Sequence, residues 1–176
     1  MSLQIGDLAP IFSLPGTDGR THALDDWLDA TALVVVFSCN HCPYVQAYES
    51  RLIDIQRDYA GRGVQVVAIN SNDDVRYPED GFEPMGERVK ARGFNFPYLR
   101  DATQVVARAY GATHTPQLFV FDRARRLRYT GKIDDNWQCP NAVTRHFLRE
   151  AIEAILAGRA PAEPQTHAIG CTIKWA

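Results

Sequence analysis

The chain has 176 residues, 45% hydrophobic and 23% charged, with a formal net charge of −2 at pH 7. That suits one globular domain with a real core, and it offers no broad basic field for nucleic acid or an anionic membrane surface. Four cysteines do not make a disulfide-stapled scaffold at this length.

No stretch is long enough to span a bilayer. Met1-Ser-Leu-Gln-Ile-Gly6 lacks the basic-then-apolar pattern of a signal peptide. The expected location is cytoplasmic, although an exported protein with its leader trimmed would read the same.

Residues 1–30 read as a β-rich lead-in. Phe12 and Leu14 alternate, Gly16-Thr-Asp-Gly19 is a turn, and Thr21 to Leu24 returns as a second strand. Asp25 or Asp26 caps a brief turn carrying Trp27 and Leu28. Residues 32–37 form an apolar strand, and its unbroken apolar character predicts burial on both faces.

The strand runs into Ser38-Cys39-Asn40-His41-Cys42-Pro43, after which Val45, Tyr48, Leu52, Ile55 and Tyr59 recur at helical spacing. Pro43 suits a first helical turn, and Gly61 and Gly63 end the helix. Two cysteines therefore sit where a buried strand meets a helix start, where free N–H groups favour a thiolate over a thiol.

Val64–Asn70 is a second buried strand. It ends in the polar loop Ser71-Asn-Asp-Asp74, which is either a site at a strand's C-terminal edge or a plain connection. Phe82, Met85 and Val89 predict a short helix stopped at Gly93, and Phe96 to Leu99 a brief strand. Asp101 is placed to cap a helix through Tyr110. His114-Thr115-Pro116 leads into the strand Gln117–Asp122, with Leu127 to Thr130 returning as a hairpin that Gly131 breaks.

The basic run Arg123, Arg125, Arg126 and Arg128 lies in that hairpin and reads as a solvated turn ahead of a phosphate site. Asn141 is expected to cap a last helix whose apolar face includes Val143, Phe147, Ala151 and Ile155, stopped by Gly158. Residues 159–176 read as a tail packed on a single domain spanning 1–176. The fold class is α/β, a central mixed sheet flanked by helices.

The strand–CxxC–helix junction, the Thr115-Pro116 step and the closing hairpin plus helix resemble the thioredoxin superfamily. The lead-in and the added helix and strand before Asp101 resemble its redoxin branch, which holds the peroxiredoxins and the TlpA-like thiol–disulfide oxidoreductases. The resemblance covers roughly residues 5–158. It implies a thioredoxin-like fold and a thiol–disulfide oxidoreductase needing no cofactor. Its partners would be a protein or small-molecule disulfide and a second redox partner.

By the same resemblance Cys39 is the attacking thiolate and the more exposed thiol, and Cys42 the resolving one. Pro116 is a cis-proline facing the dithiol, and the Thr115 backbone pairs with an extended substrate strand. An imidazolium at His41 would stabilise the Cys39 thiolate and make the disulfide more oxidising. The alternative is a solvent-facing ring with little effect.

The chain departs from the family in places. Ser38 stands where thioredoxin has a tryptophan, and Leu33 where it has a buried aspartate. Val45 stands where TlpA-like proteins often have a glutamate. The proton acceptor for Cys42 is thus missing, with Glu49 and Asp73 as substitutes.

Peroxiredoxins need Thr or Ser three residues before the reactive cysteine and a later arginine. Val36 and Pro116 stand there, which ranks a peroxiredoxin-like thiol peroxidase second. Cys139 and Cys171 read as small, partly buried hydrophobes, with Cys171 kept as an additional thiol that relays a disulfide. A Cys39, Cys42, His167 and Cys171 zinc set, making a non-catalytic module, is a third reading. It is disfavoured because structural zinc pairs sit on short knuckles rather than at a strand–helix junction. A chaperone-like binding domain without turnover is a fourth.

Overall fold

The computed structural model describes residues 1–176. The lead-in forms a small hairpin of β1 (Ser13–Pro15) and β2 (Thr21–Ala23), followed by a 3-10 turn at Leu24–Trp27. The central strand β3 (Ala32–Ser38) runs to the dithiol, and α1 (Pro43–Tyr59) leaves from it. Then come β4 (Val64–Asn70), α2 (Phe82–Arg92), β5 (Tyr98–Arg100) and α3 (Val105–Tyr110). A two-residue strand β6 (His114–Thr115) precedes the hairpin β7 (Gln117–Phe121) and β8 (Leu127–Gly131), and α4 (Phe147–Leu156) and β9 (Cys171–Thr172) close the chain.

The main sheet has the order β5-β4-β3-β7-β8. β3 is parallel to β4 and antiparallel to β7, and β4 is parallel to β5. The sheet is therefore mixed, as the sequence implied.

Every residue of β3 is buried, and its side chains divide by parity. Val34 and Val36 face a core shared with Tyr48, Leu52 and Ile55 of α1 and with Leu148 and Ile152 of α4. Leu33, Val35 and Phe37 face a second core with Phe12, Leu14, Tyr110 and Ile173. A strand with alternating faces that are both covered must be apolar throughout, which is what Leu33–Phe37 shows. Three helices cover the first face. Only the short α3, the lead-in and the end of the tail cover the second.

Four boundaries and one loop differ from the sequence reading. α3 starts at Val105 because Gln104 takes a left-handed φ of 63°, while the Asp101 carboxylate is spent on the Ser71 hydroxyl and the Ala107 N–H. α4 starts at Phe147. Pro140–Ala142 is a separate 3-10 turn, and Val143 lies outside the helix. β5 begins at Tyr98, two residues later than expected. Gly131 ends β8 rather than breaking it. Its φ is 142°, and a Cβ there would lie 2.1 Å from Thr166 Oγ1, so the tail can press on that residue only if it is glycine.

The arginine turn is structural. Buried Arg125 donates to the carbonyls of Trp27, Ala30 and Asp122, Arg126 to Gly6, and Arg128 to the Asp122 carboxylate. Its guanidinium groups fasten the lead-in and leave no free phosphate cradle.

The tail crosses the domain in two steps. The Thr166 N–H donates to the Thr130 carbonyl, the Thr130 N–H donates to the Pro164 carbonyl, and the Thr166 hydroxyl meets Tyr129. The chain then turns so that β9 lies antiparallel to β6, with Thr115 opposite Cys171.

Candidate active site

Cys39 follows the last residue of β3, and Cys42 is the residue from which α1 starts. The loop between them is held by Asn40. Its N–H donates to Asp80 Oδ1 (2.7 Å) and its amide to the Glu79 carbonyl (2.8 Å), and its side-chain oxygen accepts from the Tyr98 hydroxyl (2.8 Å). Asn72 donates to Asp80 Oδ2 (2.8 Å) and Asn70 to the Asp80 carbonyl (2.9 Å). The cysteine loop is thus pinned to the C-terminal end of β4 through one fully buried carboxylate, Asp80. The expected polar loop after β4 is mostly buried here, and its Asp73 and Asn72 receive the tail at Lys174.

The Thr115–Pro116 bond is cis. Cys39 Sγ lies 3.3 Å from Thr115 Oγ1, and Cys42 Sγ lies 3.4 Å from the Thr115 carbonyl oxygen and 2.8 Å from Cys171 Sγ. Five expected site residues, Cys39, Cys42, Thr115, Pro116 and Cys171, therefore meet at one point, and His41 stands beside them.

Two readings of them change, and a third narrows. Cys39 is the more exposed thiol only by 1% against 0%, so both sulfurs are buried. The Thr115 edge is not open, since β9 is paired to it. His41 is not solvent-facing either. Its ring stacks on Tyr77 with 1° between planes, and its Nδ1 lies 2.5 Å from Asp80 Oδ2. A buried carboxylate at that distance offsets the charge an imidazolium would present to Cys39.

The electrostatics follow from these contacts. The Cys42 sulfur beside it, then burial, push the Cys39 thiol up, and the Asp80 charge adds to this. The Cys39 thiol brings Cys42 down from its ordinary 9.0, against burial, with help from the Cys171 thiol and the Val45 and Cys171 backbone N–H groups. Burial and the neighbouring Cys42 push Cys171 up to about 11. With the tail seated, the contacts around Cys42 favour its thiolate, while burial and the Asp80 charge oppose one on Cys39.

Glu49 and Asp73 do not serve as proton acceptors. Glu49 is buried under Arg88 at 2.6 Å, and Asp73 is paired with Arg76 at 2.7 Å. The carboxylate whose charge Cys39 feels is Asp80. Nothing in Tyr77-Pro-Glu-Asp-Gly81 marks it as a partner of a loop forty residues earlier, and only the fold joins them.

The zinc set does not assemble. His167 is exposed, and the cluster of potential ligands consists instead of Cys39, His41 and Asp80, with ligand atoms within 4.8 Å of one another. Cys39 is already held by Thr115 and Asp80 by Asn40 and Asn72, while His41 Nδ1 lies against Asp80 itself. Cys139 is exposed rather than partly buried.

The AhpC/TSA family pattern matches residues 5–130. Over 129 residues the chain is 28% identical to the thiol-disulfide oxidoreductase ResA of Geobacillus thermodenitrificans, covering 72% of this chain and 68% of that one. It is 27% identical over 131 residues to a protein of Mycobacterium tuberculosis that carries a peroxiredoxin name, covering 74% of this chain and 78% of that one. A solved structure of a hypothetical protein from Sinorhizobium meliloti superposes with a TM-score of 0.94 at 45% identity, covering 100% of this chain and 97% of that one.

Proposed function

The chain belongs to the AhpC/TSA family, in the redoxin branch of the thioredoxin superfamily, and from that premise we propose that it is a thiol–disulfide oxidoreductase using Cys39 and Cys42 as a dithiol–disulfide couple on protein or small-molecule disulfides. The observation that carries the reading is the placement of both sulfurs against Thr115 at the β3–α1 junction. Relatives named as a thiol-disulfide oxidoreductase and as a peroxiredoxin agree with a redox role.

Cys39, the residue just past the end of β3, makes the first attack. A substrate disulfide bonds to Cys39 and releases one thiol. Cys42 then attacks Cys39, the second thiol leaves, and Cys39–Cys42 is oxidised. Helix α1 points its N-terminus at Cys42 and so favours the thiolate this second step needs. Thr115 Oγ1 holds Cys39 in reach. Peroxide reduction is the weaker reading because Val36 and Pro116 occupy the positions where that chemistry needs a hydroxyl and an arginine.

The test is exchange with oxidised glutathione. Cys39→Ser is expected to abolish it. Cys42→Ser is expected to accumulate a glutathione adduct on Cys39, seen as a mass increase. A Cys39→Ser protein that exchanges at the wild-type rate overturns the assignment of roles.

A further inference from the structure

We propose that Cys171 is a third redox thiol, which takes the disulfide from Cys39–Cys42 when β9 is seated and passes the oxidising equivalents out along the tail. This rests on the dithiol reading above and goes beyond it.

Three independent features place that sulfur. First, Cys171 Sγ is 2.8 Å from Cys42 Sγ, about 0.8 Å longer than a covalent S–S bond. Second, the backbone puts it there: Cys171 is the register partner of Thr115, whose side chain and carbonyl already hold the other two sulfurs. The approach is so close that a Cβ on Gly170 would lie 2.0 Å from the Thr115 carbonyl oxygen. Only glycine lets the strand come down this far.

Third, the residues after Cys171 are locked in a prepared seat. Ile173 is buried, and its N–H donates to the Thr113 carbonyl. Lys174 accepts from Gln104 Nε2 and the Asp73 N–H and donates to Asn72 Oδ1. Arg108 stacks over Trp175 at 4.5 Å. A terminus that only fills space needs none of these.

The chemistry balances without another oxidant. The substrate disulfide has already oxidised Cys39–Cys42. Cys171 attacks Cys42 Sγ, the Cys39–Cys42 bond breaks as Cys42–Cys171 forms, and Cys39 leaves as a thiolate that takes the proton Cys171 gives up. No electron leaves the protein in this step. Cys39 is returned in the reduced form, and the disulfide now ends on Cys171. Of the three thiols only Cys171 is partly exposed, so an external dithiol reductant meets it first.

The experiment mixes reduced full-length protein with one equivalent of oxidised glutathione, quenches with acid and N-ethylmaleimide, and maps the cysteines by fragmentation mass spectrometry. The expected product joins Cys42 to Cys171 and carries maleimide on Cys39. In Cys171→Ser, and in Gly170→Val, which keeps every thiol but lifts β9, the cross-link is lost and Cys39–Cys42 remains. Wild-type protein that shows Cys39–Cys42 with Cys171 alkylated overturns the relay and leaves the dithiol reading standing. Full alkylation of all three cysteines, with glutathione unreduced, overturns both.

Discussion

Asp80 is the residue on which the redox balance of the site turns. It is fully buried, bonded by Asn40 and Asn72, and lies against His41. Its negative charge opposes a thiolate on Cys39, so Asp80→Asn, which keeps the shape and one of the two acceptor oxygens, should stabilise the reduced form. The expected result is a potential more positive by about 15–30 mV, from roughly 0.7–1.4 kcal/mol of relieved repulsion. His41→Ala should move it the opposite way by only about 10–20 mV, because Asp80 already offsets the ring. Equilibration against glutathione buffers measures both, and shifts of the same sign would refute this electrostatic account. At this scale the sequence showed Cys39, Cys42, Thr115 and Pro116, because their chemistry lies in adjacent residues. Asp80 was invisible because its partners come from β3 and β4, and Cys171 stood out only as an unexplained thiol.

Among the elements, the strands flanking the dithiol were the most legible. Val64–Asn70 occupies the span the sequence assigned, and β3 differs by one residue. Long apolar runs bounded by polar residues leave one solution. The short helices were least legible, since capping residues decide their ends and tertiary partners reassign those residues, as Ser71 does for Asp101. Sheet packing behind the site is tight. Phe119 of β7 meets Phe37 and Tyr110 edge-to-face, at 5.8 and 5.5 Å between centroids. Phe119→Ala should cost about 3–5 kcal/mol, read as a lower urea midpoint. A loss below 1 kcal/mol would mean that this core collapses onto the void far more readily than its packing suggests.

The whole molecule is one mixed sheet whose second face is finished by its own C-terminus, and no helix is long and apolar enough to cross a membrane. Sequence reading anticipated a tail laid over the domain but not that it would add a strand beside cis-Pro116, because two residues of pairing leave no periodic signal. Removing residues 170–176 should unroof Cys39. Its alkylation rate is expected to rise about tenfold or more, the effect of removing a local opening step worth at least ~1.4 kcal/mol. An unchanged rate would show that something other than β9 shields it.

The pairing of β9 with Thr115 also sets a threshold for visitors. A tethered segment competes at an effective concentration near the millimolar range, whatever the dilution of the protein. If the dock is vacant about 1% of the time, an incoming peptide strand binds about a hundredfold more weakly than its intrinsic fit allows. Casual clients are turned away by mass action, while a dedicated partner that also grips the displaced terminus recovers the difference.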